Sequence, residues 1–150
     1  MKAVIQRVKR AGVRVEGNTV SEIETGLVIL LGIAEEDESA DIDWLTKKIA
    51  NLRIFQDEQG VMNRSLLETG GEAIIVSQFT LLASTKKGNR PSYIQAAKPE
   101  MAVPMYESFV QQFEELLGKK VGTGVFGADM EVSLNNDGPV TIVIDSRNRV

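Results

Sequence analysis

The sequence predicts one α+β domain over residues 1–150, a mostly antiparallel, barrel-like system of β-sheets with two main helices on one side. Three observations carry this. Short β-branched runs, Gly26–Ile33, Ile74–Val76 and Val140–Ile144, are bounded by turn formers and have strand length. Two stretches, 42–52 and 106–117, repeat their apolar residues at helical spacing. Turn signals inside the first twenty-five and last twenty residues put hairpins at both ends.

In chain order, Met1 to Val8 reads as a strand with both faces partly covered. Val13 and Val15, then Val20 and Ile23, flank Glu16-Gly17-Asn18 as the arms of a hairpin. Gly26–Ile33 suits a central strand. The acidic cluster Glu35, Glu36, Asp37, Glu38 suits the positive end of a helix, and Ile42, Leu45, Ile49 and Leu52 then mark its buried stripe, with Trp44 beside it. Arg53-Ile54-Phe55 leads into the Asp57–Gly60 turn, and Ser65-Leu66-Leu67 extends pairing before Gly70-Gly71 breaks it. After the strand at 74–76, Pro99 and Pro104 suit the opening turns of a helix. Its apolar face is Tyr106, Phe109, Val110, Phe113, Leu116 and Leu117, and Gly118 stops it. The loop Phe126–Met130 enters a strand at Glu131–Leu134, Asn135–Pro139 is dense in turn formers, and Val140–Ile144 is the final strand. The polar tail, Asp145–Val150, is expected to end at the surface.

Composition excludes whole classes of chemistry. There is no cysteine and no histidine, so thiol nucleophiles, Ser-His-Asp triads and His- or Cys-based zinc sites are all out. Hydrolysis by this chain must use a carboxylate, a lysine, a hydroxyl, the backbone or a group on the substrate. No dense cluster of metal ligands is visible, and neither metal nor cofactor is expected. The net charge of −4 argues against general coating of nucleic acid but permits a local basic patch. The longest apolar run, Leu27–Ala34, falls far short of the ~20 residues of a membrane span. Early charges at Lys2, Arg7, Lys9 and Arg10 interrupt any signal-peptide core, which points to a cytoplasmic chain.

One stretch departs from core filling. Ile74-Ile75-Val76 continues as Ser77-Gln78-Phe79-Thr80, placing hydroxyls and an amide where a buried strand would carry more Val or Leu. These polar groups either bond neighbouring backbone or form a site. As a site, Thr80 offers a hydroxyl nucleophile, though no base adjoins it in sequence. The backbone N–H groups of Phe79 and Thr80 offer an oxyanion site that needs no titrating group. Directly after it, Lys86, Lys87 and Arg90 lie in a Gly- and Pro-containing loop, either solvated or a phosphate-holding lip. Asp129 in Gly127-Ala128-Asp129-Met130 is a capped turn or a site residue. At Asn136-Asp137-Gly138-Pro139, Pro139 lacks the donor that ordinary hairpin pairing uses.

On Ser77-Gln78-Phe79-Thr80-Leu81 together with Asn136-Asp137-Gly138-Pro139-Val140-Thr141, the chain closely resembles the D-aminoacyl-tRNA deacylases. Met1–Arg10, Gly88–Ser92 and Phe126–Met130 look like the same family, so the resemblance spans essentially the whole chain, and the absence of an appended C-terminal region resembles the compact bacterial form. The resemblance implies a homodimeric hydrolase, active in translation proofreading, that cleaves the ester joining a D-amino acid to the 3′ end of tRNA. It implies the same for glycine, including glycine mischarged on tRNA-Ala. It further implies that Ser77, Gln78, Phe79 and Thr80 line the catalytic pocket, with backbone groups of Phe79 and Thr80 near the ester. Gly138-Pro139 would carry a cis peptide bond and project into the partner's site, where it rejects L-residues. The 2′-hydroxyl of the terminal adenosine would assist the chemistry, and Lys86, Lys87 and Arg90 would contact tRNA. Two other readings stay open: a nucleic-acid-binding module without hydrolysis, and a small-ester hydrolase using Thr80 as nucleophile.

Overall fold

The computed structural model describes residues 1–150. A long strand β1 (Lys2–Val15) runs through the middle of the main sheet. Along one side it pairs antiparallel first with β3 (Gly26–Gly32) and then with β2 (Asn18–Ile23); its other side pairs with β8 (Glu131–Asp145), also antiparallel. The expected strand at 1–8 and the first arm of the expected hairpin are thus one element. Lys9 and Arg10 break the apolar pattern only by facing solvent, and Ala11 and Val13 resume burial beyond them.

Beyond β3 the order continues to β6 (Glu72–Ser77) and β7 (Gly122–Thr123), both added in parallel. Parallel strands are typically covered on both faces and read as unbroken apolar runs, which is how Leu27–Leu31 and Ala73–Val76 read. Leu27, Ile29, Leu31 and Ile75 face the helices in one core cluster, while Val28, Ile74 and Val76 face a second cluster with Val8 and Val13. The sheet curls around that second cluster until its edges meet, where Ser21 Oγ donates to the Thr123 carbonyl at 2.8 Å. The barrel-like α+β architecture is therefore present, with two parallel pairings inside a mainly antiparallel sheet. A small hairpin of β4 (Phe55–Gln56) and β5 (Met62–Arg64) stands apart.

Two long helices cover the outer face, α1 (Ser39–Asn51) and α3 (Pro99–Leu117). The predicted stripe of α1 is buried at Ile42, Leu45 and Ile49, and Glu38 caps it by exchanging hydrogen bonds with Asp41. Pro99 opens α3 and Gly118 closes it at φ +70°, with Phe109 and Phe113 fully buried and stacked at 6.2 Å. Neither helix is long and apolar enough to cross a membrane.

Two expectations are corrected. Ser65-Leu66-Leu67 does not pair; Leu66–Thr69 forms a short helix, α2. Ser65 accepts from the Glu68 N–H while Glu68 accepts from the Ser65 N–H, a reciprocal cap that outcompetes the strand tendency of the two leucines. The tail ends at the surface as expected, with residues 147–150 exposed, while Ser146 is buried between the Met1 amino group and Asp41. Burial works against a charged Asp41, but the Ser146 hydroxyl, the Glu38 N–H, the Met1 amine and Arg147 together hold its carboxyl below the usual range. Finally, Asn135–Pro139 does not separate two strands, since β8 passes straight through it. Val8 faces Asn136 and Gln6 faces Thr141, so four residues, 137–140, stand opposite the single residue Arg7 and bulge out of the sheet.

Candidate active site

The parallel pairing of β3 and β6 brings both strand ends to one edge of the sheet. Ser77 lies opposite Leu31, and the Gln78 N–H donates to the Leu31 carbonyl at 2.7 Å, the last rung of the ladder. There the polar residues end the strand, and Phe79–Leu82 winds into a single 3-10 turn. The first N–H to donate back into that turn is that of Leu81, to the Gln78 carbonyl. Those of Phe79 and Thr80 precede it and have no acceptor within the turn. Gly32 makes the arrangement possible: a Cβ there would lie 2.6 Å from the Leu82 side chain and 3.0 Å from the Gln78 carbonyl oxygen.

Beside this turn is a cleft of about 290 Å³, lined by Ser77, Gln78 and Phe79 from the β6 end, Ala102 from α3, and Phe126 and Met130 from the loop entering β8. Its walls are chiefly apolar, and Asp129, exposed at the rim, is its one titratable lining residue. Asp129 caps nothing; the turn is closed by the Ala128 N–H and the Val125 carbonyl. Thr80 sits just outside the lining. Its hydroxyl oxygen accepts from Gln78 Nε2 at 2.5 Å, and no carboxylate or amine touches it. Behind the cleft, Tyr106 donates its hydroxyl to the Ile75 carbonyl at 2.6 Å and ties α3 to β6. Burial pushes that phenol up to about 12, so it remains a neutral donor.

Lys86, Lys87 and Arg90 occupy the exposed tip of a loop whose base is pinned by two hydrogen bonds between Ser84 and Ser92, at 2.8 and 3.0 Å. None of the three cations enters an ion pair. Phe79, from the cleft, and Tyr93, from the loop's end, meet edge to face at 5.0 Å between centroids.

Gly138 and Pro139 are not in this cleft. Their peptide bond is cis, and they lie in the bulge opposite Arg7, which pairs with Leu27 of β3. Leu31, at the cleft, is four residues farther along that strand, about 13 Å at strand spacing. Two side chains hold the bulge. Asn136 accepts from the Val140 N–H at 2.7 Å and returns a hydrogen bond to the Val140 carbonyl at 3.1 Å, closing the bulge at its neck. Arg7 donates from Nε to the Asp137 carbonyl at 3.0 Å and from Nη1 to the Ile54 carbonyl at 2.6 Å, and its Nε lies 3.6 Å from the Asp137 carboxylate. At φ +140°, with the position of a Cβ 2.9 Å from the Val140 side chain, residue 138 accommodates only glycine without strain. Sequence reasoning missed Arg7, taking it for one of several charges near the N-terminus. The signal was its odd-numbered place among Ala3, Ile5 and Arg7, on the buried face of a strand.

Residues 4–145 match the family described as D-Tyr-tRNA(Tyr) deacylase. A D-aminoacyl-tRNA deacylase of Bacteroides thetaiotaomicron is 62% identical over 149 residues, covering 99% of each chain, and one of Flavobacterium psychrophilum is likewise 62% identical with the same coverage. Among solved structures, the c-Myc DNA unwinding element binding protein superposes with a TM-score of 0.90 at 42% identity, over 97% of this chain and 98% of that one. A probable eukaryotic D-amino acid tRNA deacylase shares the fold, with a TM-score of 0.82 at 15% identity over 95% and 97% of the two chains.

Proposed function

This chain belongs to the D-Tyr-tRNA(Tyr) deacylase family, and from that premise we propose that it hydrolyses the ester between a D-amino acid and the 3′ end of tRNA, completing its site with a second copy of itself. The observation that carries the reading is the separation of two parts within one chain. The cleft at Ser77–Thr80 has unpartnered N–H groups but no wall near a substrate Cα. The glycine-proline bulge has a rigid mount but faces no cleft of its own.

In a two-fold dimer each bulge enters the other's cleft, an exchange that two-fold symmetry satisfies in both directions at once. A wall of backbone near Cα rejects the L-hand by collision and ignores what the D-hand carries, and glycine, which presents no side chain, also passes. Side-chain recognition would discriminate far less, since a methylene is worth only ~1–3 kcal/mol. The ester carbonyl lies toward the Phe79 and Thr80 N–H groups, which stabilise the developing oxyanion. Proton transfer falls to the 2′-hydroxyl of the terminal adenosine: the cleft offers no histidine, cysteine or lysine, and its one carboxylate, Asp129, stands exposed at the rim.

Matched D-tyrosyl-, L-tyrosyl- and glycyl-tRNA distinguish this from its rivals. The expected result is rapid loss of the D- and glycyl-esters with the L-ester intact. The structural neighbour named for binding a DNA unwinding element favours a second reading, nucleic-acid binding without hydrolysis; retention of all three esters by protein that binds the tRNA would establish it.

The basic loop gives a separate expectation. If Lys86, Lys87 and Arg90 hold phosphates of the acceptor end, replacing all three with Ala raises KM and lowers the slope of log K against log salt by up to about three, roughly one per lost contact. An unchanged slope would mean that the loop is merely solvated.

A further inference from the structure

We propose that the Phe79 and Tyr93 rings form a stacking platform for the unpaired nucleotides that precede the terminal adenosine of the substrate. Both are large, and in a single chain both stand in solvent, Phe79 57% and Tyr93 38% exposed. Large rings left open at the mouth of an otherwise apolar cleft are unpartnered surface next to a site. They meet edge to face, 74° between planes, an arrangement that does not bury both faces of either ring. Tyr93 Oη makes no hydrogen bond within the chain, so its ring is not held there by its polar end.

The surroundings select the occupant. Phe79 lines the cleft on one side and meets Tyr93 on the other, so the platform is continuous with the place where the ester reacts. The loop that ends at Tyr93 carries Lys86, Lys87 and Arg90, unpaired and exposed. Aromatic faces beside a run of free cations are the composition that binds single-stranded nucleic acid, with stacking under the bases and charge along the backbone. A protein partner would find the rings but leave three cations without use; a 3′-terminal single strand uses both. This rests on the reading of the cleft as an aminoacyl-ester site, and assigns the next stretch of RNA to the rim.

The test compares D-Tyr-tRNA with D-tyrosyl-adenosine, which carries the ester but none of the preceding nucleotides. Tyr93→Ala is expected to raise KM for D-Tyr-tRNA about ten-fold at unchanged kcat, and to leave kcat/KM for D-tyrosyl-adenosine as it was. Tyr93→Phe, keeping the ring, restores wild-type values. In parallel, a tRNA with 2-aminopurine next to the terminal adenosine should be quenched on binding by the wild type and by Tyr93→Phe, but not by Tyr93→Ala. Equal losses on both substrates would overturn the platform by showing that Tyr93 shapes the cleft. So would an unchanged KM with unchanged quenching, or a Tyr93→Ala protein that sediments as a smaller species, which would make the ring a contact between copies. A wild type that quenches the probe yet hydrolyses neither ester refutes the hydrolase reading and leaves the platform standing.

Discussion

A D-aminoacyl-tRNA whose terminal adenosine lacks the 2′-hydroxyl is expected to bind normally and to resist hydrolysis, with kcat lower by about 10²–10⁴, the usual contribution of a positioned proton-transfer group. The cleft explains why no side chain compensates. Asp129 is its one titratable lining residue and stands exposed at the rim, and Thr80 has no base to activate it. The companion measurement is Thr80→Ala, which should lose less than about ten-fold, since the Thr80 hydroxyl serves only as acceptor for the Gln78 amide while its backbone N–H is kept. Single-turnover kinetics on the ribo- and deoxy-terminated esters decide the matter. A deoxy substrate cleaved at the normal rate, together with a dead Thr80→Ala enzyme, would move the chemistry to the threonine.

The second large effect is expected from Arg7→Ala. The guanidinium is almost wholly buried and satisfies carbonyls on two elements, Asp137 in the bulge and Ile54 ahead of β4. Its removal strands the Ile54 and Asp137 carbonyls, at about 1–3 kcal/mol per unsatisfied group, and leaves a gap beneath Gly138. Because Asp137 is partly exposed, its carboxylate recovers water and adds little. The melting temperature should therefore fall by several degrees. More tellingly, the ratio of D- to L-ester hydrolysis should fall, because the bulge is no longer held from below. Arg7→Lys keeps the charge but cannot reach both carbonyls with a planar fork, so it should regain part of the stability and little of the selectivity. Loss of stability with the D/L ratio intact would confine Arg7 to the core.

Elements written in local periodicity were readable from the chain. The Ile42, Leu45, Ile49 stripe and the Tyr106, Phe109, Phe113 face are buried as their spacing requires, and the apolar run at 140–144 is part of a strand. What escaped depends on partners distant in sequence. Nothing within 26–32 or 72–77 announces that these strands lie side by side in parallel. Leu66-Leu67 reads as extended because two leucines suit a strand, and the reciprocal cap of Ser65 and Glu68 overrides that local tendency. Asn135–Pro139 looked like a chain reversal, because turn-forming residues do not reveal that strand pairing resumes on the same neighbour afterwards. At the cleft, Ser77, Gln78 and Phe79 were legible as polar and aromatic interruptions of a core strand. The ring of Tyr93 and the guanidinium of Arg7 were not, since each matters through a contact 14 or more than 100 residues away.

If residues 137–140 are the wall proposed to reject the L-hand, the way they are mounted has a consequence for accuracy. Telling one hand of an amino acid from the other is a question of tolerance: the two differ only in which of two tetrahedral positions on Cα carries the side chain, roughly 2.5 Å apart for bonds of about 1.5 Å. A probe that wandered by that much would admit both. Hairpin tips wander, being anchored at one end; this segment is spliced into the middle of a strand, laddered to β1 before and after it and tied at the neck by Asn136. It is a span rather than a cantilever, and its sideways play is set by the sheet and not by its own four residues. Fidelity in such a design is a property of the whole barrel's stiffness, so substitutions far from the cleft that soften β1 or β8 would surface as errors of handedness well before they surfaced as loss of rate.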